Sequence, residues 1–263
     1  YDNYNIDVNS IEKKITKNSR VILPVHLCGR PADMEKILKL ANKYKLKVIE
    51  DAAQAVGATI GKKKVGSFGL MGCFSFHPLK NLNAIGDGGM VVTNNSELAA
   101  KVRVLRNIGQ TDREKYEHRV KGVNSRLDEI QAAILRFRLK TLSKTIERRR
   151  SNVEFYRSIL DQEVIFHPPD KPDEFNSWHT FVIQVDCRNE LQEFLRSKNI
   201  ETSVHYPVPI HLQPASSGFG YAIGDFPVTE KQAERILTLP IHQNLKQEEI
   251  HRVATAINEY FGY

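Results

Sequence analysis

Apolar residues recur along this chain in two rhythms, one of strands and one of helices. Val21-Ile22-Leu23-Pro24-Val25-His26-Leu27 is a short apolar run of the kind that forms a buried strand. Pro31 marks a helix start, and Met34, Ile37, Leu38, Ala41 and Tyr44 follow at helical spacing. A second buried strand is predicted over 46–50, ending at Asp51. Strand, helix and strand in this order form a βαβ unit, which implies a parallel sheet and a right-handed crossover. Two more strands are predicted over 72–76 and 89–93, then a helix over 96–107 opened by a Ser96 cap.

Residues 125–160 contain neither Pro nor Gly. Leu135, Leu139, Leu142, Ile146, Val153, Tyr156 and Leu160 repeat at alternating steps of four and three, interrupted at Arg149. A coiled coil carries such a stripe, but on an α/β chain it predicts one long helix bridging two domains. His167-Pro168-Pro169-Asp170-Lys171-Pro172 follows as a rigid linker. Strands over 180–185 and 202–206 and helices over 188–197 and 247–261 complete a smaller unit. The expected fold is therefore α/β, with a large parallel-sheet domain over 1–160 and a smaller C-terminal α/β domain over 161–263. The chain opens at Tyr1 on a loop leading into 8–15, so the large domain is expected to be incomplete at its N-terminus.

Composition narrows the class. The 263 residues, 41% apolar and 26% charged, can build one large core or two modest ones. No stretch approaches the run of about 18 apolar residues that spans a membrane, and no secretory or transit signal is seen. A cytoplasmic protein without a membrane partner is expected. Cys28, Cys73 and Cys187 lie far apart among apolar neighbours and are read as buried free thiols. The net charge of +7 admits an anionic partner. Lys and Arg are dispersed, without a nucleic-acid-binding module, so nucleic acid is not expected and a phosphorylated small molecule suits the charge. The densest cluster, Glu147-Arg148-Arg149-Arg150, is expected on a solvated face of the long helix.

Three features suggest chemistry. Asp51 ends a buried parallel strand, where open α/β sheets bind ligands, although such an Asp also caps helices or turns. Lys80 projects from the turn Phe74-Ser75-Phe76-His77-Pro78-Leu79-Lys80-Asn81. A lysine in an apolar loop must be paired or lose pKa, and then becomes a nucleophilic amine; a solvent-facing loop lysine is the alternative. Gly86-Asp87-Gly88-Gly89 permits either close backbone approach to a ligand or a plain hairpin turn.

These segments together resemble a known family. Asp51-Ala52-Ala53-Gln54-Ala55, Ser75-Phe76-His77-Pro78-Leu79-Lys80-Asn81-Leu82, Gly86-Asp87-Gly88-Gly89 and Gly122-Val123-Asn124-Ser125-Arg126-Leu127-Asp128-Glu129-Ile130-Gln131-Ala132-Ala133 are similar to the DegT/DnrJ/EryC1/StrS nucleotide-sugar aminotransferases. His205-Tyr206-Pro207 and Gly224-Asp225-Phe226-Pro227 continue the likeness. The resemblance implies a fold-type I aminotransferase dependent on pyridoxal 5'-phosphate (PLP), working as a homodimer with shared active sites. It also implies a segment of roughly 100 residues before Tyr1, about a small domain's worth, which would help hold the cofactor.

Residue by residue, the resemblance implies that Lys80 carries PLP as a Schiff base and then moves the proton between the reacting carbons. Asp51 would pair with the ring nitrogen, Gln54 would bond the ring's phenolic oxygen, and Ser75 would bind the phosphate. Asn124 would reach the phosphate of the neighbouring subunit's cofactor. Relatives with histidine in place of the lysine are sugar dehydratases, and Lys80 argues against that reading. The resemblance further implies a nucleotide-linked keto-sugar as substrate, aminated at C3 rather than C4 because Asn124-Ser125-Arg126-Leu127-Asp128 lacks an aromatic residue after the Asn, with glutamate as amino donor. His77, His179, His205 and His211 are candidate sugar contacts, with structural roles as the alternative for each. His205 and His211 lack a third ligand at metal spacing, so no metal is expected. A catalytically inactive fragment or relative acting as a regulator is the competing reading.

Overall fold

The computed structural model describes residues 3–111 and 116–263. The chain forms two compact units, one of Asn5–Thr145 with Lys171–Ser177, the other chiefly of Ile146–Asp170 and Trp178–Tyr263.

The first unit begins with α1 (Val8–Lys14), whose N-cap Asp7 accepts the Asn9 and Ser10 amides. Then come β1 (Val21–Ile22), α2 (Met34–Lys43) and β2 (Lys47–Asp51). The hairpin β3 (Thr59–Ile60) and β4 (Lys63–Lys64) precedes β5 (Met71–Ser75) and β6 (Gly89–Val92). The unit continues through α3 (Ser96–Arg106) and α4 (Glu129–Leu139), and β7 (Glu174–Phe175) pairs back onto β3.

The main sheet has the order β1-β2-β5-β6. β1, β2 and β5 are parallel, as the βαβ pattern predicts, whereas β6 runs antiparallel to β5. The sheet is therefore mixed. No helix lies between β5 and β6, and without a crossover element the chain can only turn back beside the strand it has left. Beneath the sheet, Met34, Ile37, Leu40 and Ala41 of α2 pack with Ile22 and Val48, a stripe that removes the apolar face of the helix from water.

Boundaries differ from expectation where backbone chemistry intervenes. The first strand stops at Ile22, before Pro24, and the chain turns through a 3₁₀ turn at Leu27–Gly29 in which Cys28 is left-handed at φ 60°. Helix α2 is capped by Asp33, which accepts the Lys36 amide, rather than opened at Pro31. Asn95, not Ser96, caps α3 by accepting the Leu98 amide at 2.9 Å. The single long helix is in fact two, α4 and α5 (Leu142–Ile159). Between them the amide and hydroxyl of Thr141 both bond the Arg138 carbonyl at 3.1 Å, a tightened turn that draws the chain out of helical register. Leu139, on the stripe, is consequently exposed.

In the second unit, β8 (Phe181–Gln184) and β9 (Ile236–Leu239) form an antiparallel pair. Around it lie α5, α6 (Arg188–Ser197), α7 (Pro227–Arg235) and α8 (Gln247–Phe261). The predicted strand over 202–206 is reduced to one bridge between Ser203 and Thr238. Val153 and Tyr156 of α5, Phe181 and Ile183 of β8, Leu191 and Leu195 of α6, and Ile250 and Ile257 of α8 share one core.

Arg149 does not lie on a solvated face. It occupies the interrupted stripe position and is buried, with Nη1 donating to the carbonyls of Trp178, His179 and Ile241 at 3.0, 3.1 and 3.2 Å. Burial pulls its guanidinium down to about 10. The three cysteines are free but only partly buried. Among the described residues no helix is long and apolar enough to cross a membrane.

The surroundings of His167 predict an acid-sensitive second unit. Its ring lies against Phe181 with centroids 5.9 Å apart, and burial, reinforced by the Arg157 cation, lowers its pKa. A base with a lowered folded-state pKa binds fewer protons folded than unfolded. Stability therefore falls as pH drops below the unfolded value of about 6.5. Urea midpoints measured between pH 7.5 and 5.5 are expected to decline less for His167→Gln than for the wild type; equal slopes would remove His167 from the titration.

Candidate active site

Asp51 and Ser75 stand at the carboxyl ends of the parallel strands β2 and β5. Successive residues of β2 point to opposite faces, so Glu50 and Asp51 serve different sides of the sheet. Asp51 is fixed by its backbone, with N–H donating to the Pro24 carbonyl at 2.9 Å and carbonyl accepting the His26 amide at 3.0 Å. Its carboxylate accepts the Ala53 amide at 3.0 Å, and it stands in register with Cys73 of β5.

Beyond β5 the chain winds into a tight turn. Ser75 Oγ accepts the His77 amide at 3.3 Å, the His77 ring accepts the Leu79 amide at 3.2 Å, and the Lys80 amide donates to the His77 carbonyl at 2.8 Å. His77 thus shapes the turn that presents Lys80. The Lys80 side chain is half-buried; desolvation lowers its pKa, and the Asp51 charge offsets this only in part. Lys80 and Asp51, 29 residues apart in sequence, are thereby brought within electrostatic reach of each other.

Gln54 stands on the turn after β2. Its Oε1 accepts the Cys28 amide at 2.7 Å, which turns the carbonyl end of the side chain toward that loop. Ser177 joins this side, its hydroxyl donating to the Gln54 and Gly29 carbonyls at 3.5 and 3.4 Å. Its own carbonyl accepts Asn81 Nδ2 at 2.7 Å, next to Lys80. Asn124 lines a groove of about 1010 Å³ along β6, with Cys73, Asp87, Gly88 and Gly89, and its Oδ1 accepts from Arg126 Nε at 3.1 Å.

Behind Asp51, Glu50 is fully buried. Its carboxylate accepts from the amides of Gly66 and Phe68 at 2.7 Å and Gly69 at 2.6 Å, and from His26 Nε2 at 3.0 Å. Burial alone would raise the pKa of Glu50, but these donors hold it below the usual carboxylate range. Sequence reasoning missed Glu50, His26, Asn81 and Ser177. The available signal was Glu50 itself, a charged residue inside a strand read as buried.

Of the remaining histidines, His179, His205 and His211 belong to the second unit. His211 is buried, with Nε2 at 2.9 Å from Glu230 Oε1. His205 Nδ1 lies 2.8 Å from Thr238 Oγ1, and the His179 carbonyl accepts from Arg149. The rings of His205 and His211 thus have protein partners, whereas the His179 bond is to its backbone carbonyl. Among the described residues no group of three or more His, Cys, Asp or Glu could hold a metal ion.

The donor set of the first unit fits pyridoxal phosphate: an amine of lowered pKa suited to an aldehyde, a carboxylate suited to a ring N–H, and an amide and a hydroxyl suited to oxygens. The DegT/DnrJ/EryC1/StrS aminotransferase family model matches residues 1–258. A protein of Geobacillus stearothermophilus named pleiotropic regulatory protein is 43% identical over 99% of this chain and 70% of its own length. The dTDP-3-amino-3,6-dideoxy-alpha-D-galactopyranose transaminase of Aneurinibacillus thermoaerophilus is 45% identical over 99% of this chain and 70% of its own. The crystal structure of S. venezuelae DesV in complex with a ketimine intermediate superposes with a TM-score of 0.94 at 42% identity, covering 100% of this chain and 70% of that one. The chain therefore belongs to the DegT/DnrJ/EryC1/StrS aminotransferase family, a family of PLP-dependent sugar aminotransferases with the fold-type I architecture.

Proposed function

We propose that the protein transfers an amino group from glutamate to C3 of a nucleotide-linked keto-sugar, with Lys80 as the catalytic residue. The observation that carries this reading is the half-buried Lys80 amine of lowered pKa beside Asp51. The keto-sugar gains the donor's amine in place of its ketone oxygen, and the donor leaves as the corresponding 2-oxo acid. The C3 assignment is supported by the 3-amino-sugar transaminase at 45% identity and by Asn124-Ser125-Arg126.

PLP supplies an electron sink that lets a C–H bond next to nitrogen ionise. Lys80 Nζ would hold the cofactor and move a proton between the reacting carbons. Asp51 would keep the ring nitrogen protonated by its charge. Gln54 would donate its amide to the ring's phenolic oxygen, and Ser75 would donate its hydroxyl to the phosphate. Asn124 would serve the phosphate across a homodimer interface. Exposed apolar Leu79, Ile85, Ile130 and Phe137 of the first unit support such an interface.

Mixing the complete protein with PLP should give a visible absorbance band, and borohydride reduction followed by peptide mapping should place the adduct on Lys80. An adduct confined to another lysine would overturn the assignment. The name of the Geobacillus relative favours a second reading, a regulator without turnover. An intact Lys80 adduct with no amino transfer to any nucleotide keto-sugar would support it.

A further inference from the structure

We propose that His26 and Glu50 are positioning residues that set the orientation of Gln54 toward the cofactor. The proposal rests on the PLP reading above and extends it to residues that make no contact with the cofactor in that reading.

Two sets of hydrogen bonds within the first unit meet on the backbone loop 26–32. Ala32 N–H donates to His26 Nδ1 at 2.9 Å. An Nδ1 that accepts leaves the proton on Nε2, which therefore donates to Glu50 Oε2 at 3.0 Å. Both side chains are fully buried. Glu50 is anchored on its other side by the three amides of Gly66, Phe68 and Gly69, so the ring of His26 is tied to a rigid turn. The His26–Ala32 bond closes the loop that contains the Leu27–Gly29 turn. Asn5 braces the same loop, accepting the Leu27 amide at 3.0 Å and donating to the Arg30 and Pro31 carbonyls at 3.2 and 3.0 Å.

What this loop delivers is the Cys28 amide, aimed at Gln54 Oε1 by a left-handed φ of 60° that a non-glycine residue adopts only when its surroundings enforce it. Gln54 can present either its oxygen or its nitrogen outward. The Cys28 N–H favours one of the two by bonding the oxygen at 2.7 Å. If the loop relaxes, the oxygen loses this donor and the orientation it favours is weakened. A buried histidine and glutamate linked by hydrogen bonds could instead serve stability alone, and that alternative makes a different prediction.

The test is a double-mutant cycle in PLP affinity on the complete protein, with thermal melting by circular dichroism in parallel. The variants are His26→Ala, Gln54→Ala and the double variant. Each single change should weaken the PLP dissociation constant about tenfold, and the double variant should be no more than about twofold weaker than the worse single, because contacts in series are not additive. A double variant about a hundredfold weaker, or a His26→Ala with lowered melting temperature and unchanged PLP affinity, would overturn the proposal. If His26→Ala does not fold, the same cycle is run with His26→Gln and with Glu50→Gln, where a non-additive loss is again expected and additive losses or none would refute it. A wild-type protein that binds no PLP would sink the cofactor reading and this inference together. Wild-type binding with the adduct on Lys80 and an additive cycle would sink this inference alone.

Discussion

Lys80→Ala is expected to abolish amino transfer while leaving the fold intact. The proposed chemistry asks the Lys80 amine both to hold the cofactor and to move a proton, and positioned acid–base catalysis alone is worth about 10²–10⁴-fold. Turnover should therefore fall by about 10³-fold or more once the covalent role is lost as well. The turn itself is held by backbone and by His77 and Ser75, none of which needs the lysine side chain. The circular dichroism spectrum and melting temperature should accordingly stay close to wild type. Lys80→Arg should be equally inactive, because a guanidinium keeps its proton at neutral pH and cannot act as a nucleophile. Single-turnover amino transfer at the wild-type rate by either variant would remove Lys80 from the mechanism.

Arg149→Leu is expected to be among the most destabilising single changes in the second unit. The guanidinium is buried and answers three carbonyls on two separate segments, Trp178 and His179 before β8 and Ile241 after β9. Removing the donor leaves those carbonyls buried without their partner, at about 1–3 kcal/mol for an unsatisfied group. With three acceptors sharing the guanidinium, the loss adds up across both segments. Arg149→Lys should recover only part of this, since an ammonium on a shorter, non-planar head cannot span the same acceptors. Urea denaturation followed by fluorescence of Trp178, which lies in the affected segment, measures the change. A midpoint within experimental error of wild type would show that water replaces the guanidinium, and the structural role would fall.

Arg149 also shows where a linear pattern misleads. The four-and-three stripe from Leu135 to Leu160 was readable, and six of its members are buried. The place of Arg149 within it looked like an interruption on a wet face. Only the packed unit shows that carbonyls from distant segments converge there and make a cation the suitable core residue. Leu139 is the converse, an apolar stripe position left exposed because Thr141 tightens the turn between α4 and α5.

By itself the sequence determined the βαβ start, helices α6 and α8 and the identity of the family, because apolar period and motif spacing are properties of local order along the chain. It also marked Asp51 and Lys80, since their residue types are unusual where they stand, at a strand end and in an apolar turn. The direction of β6, the return of Glu174–Phe175 to pair with β3, and the convergence of Ser177, Asn81 and Gln54 were decided by tertiary structure alone. So were the burial of Glu50 and its four hydrogen bonds. These depend on which donors and acceptors remain unmatched after the elements have packed, a quantity that no single segment carries.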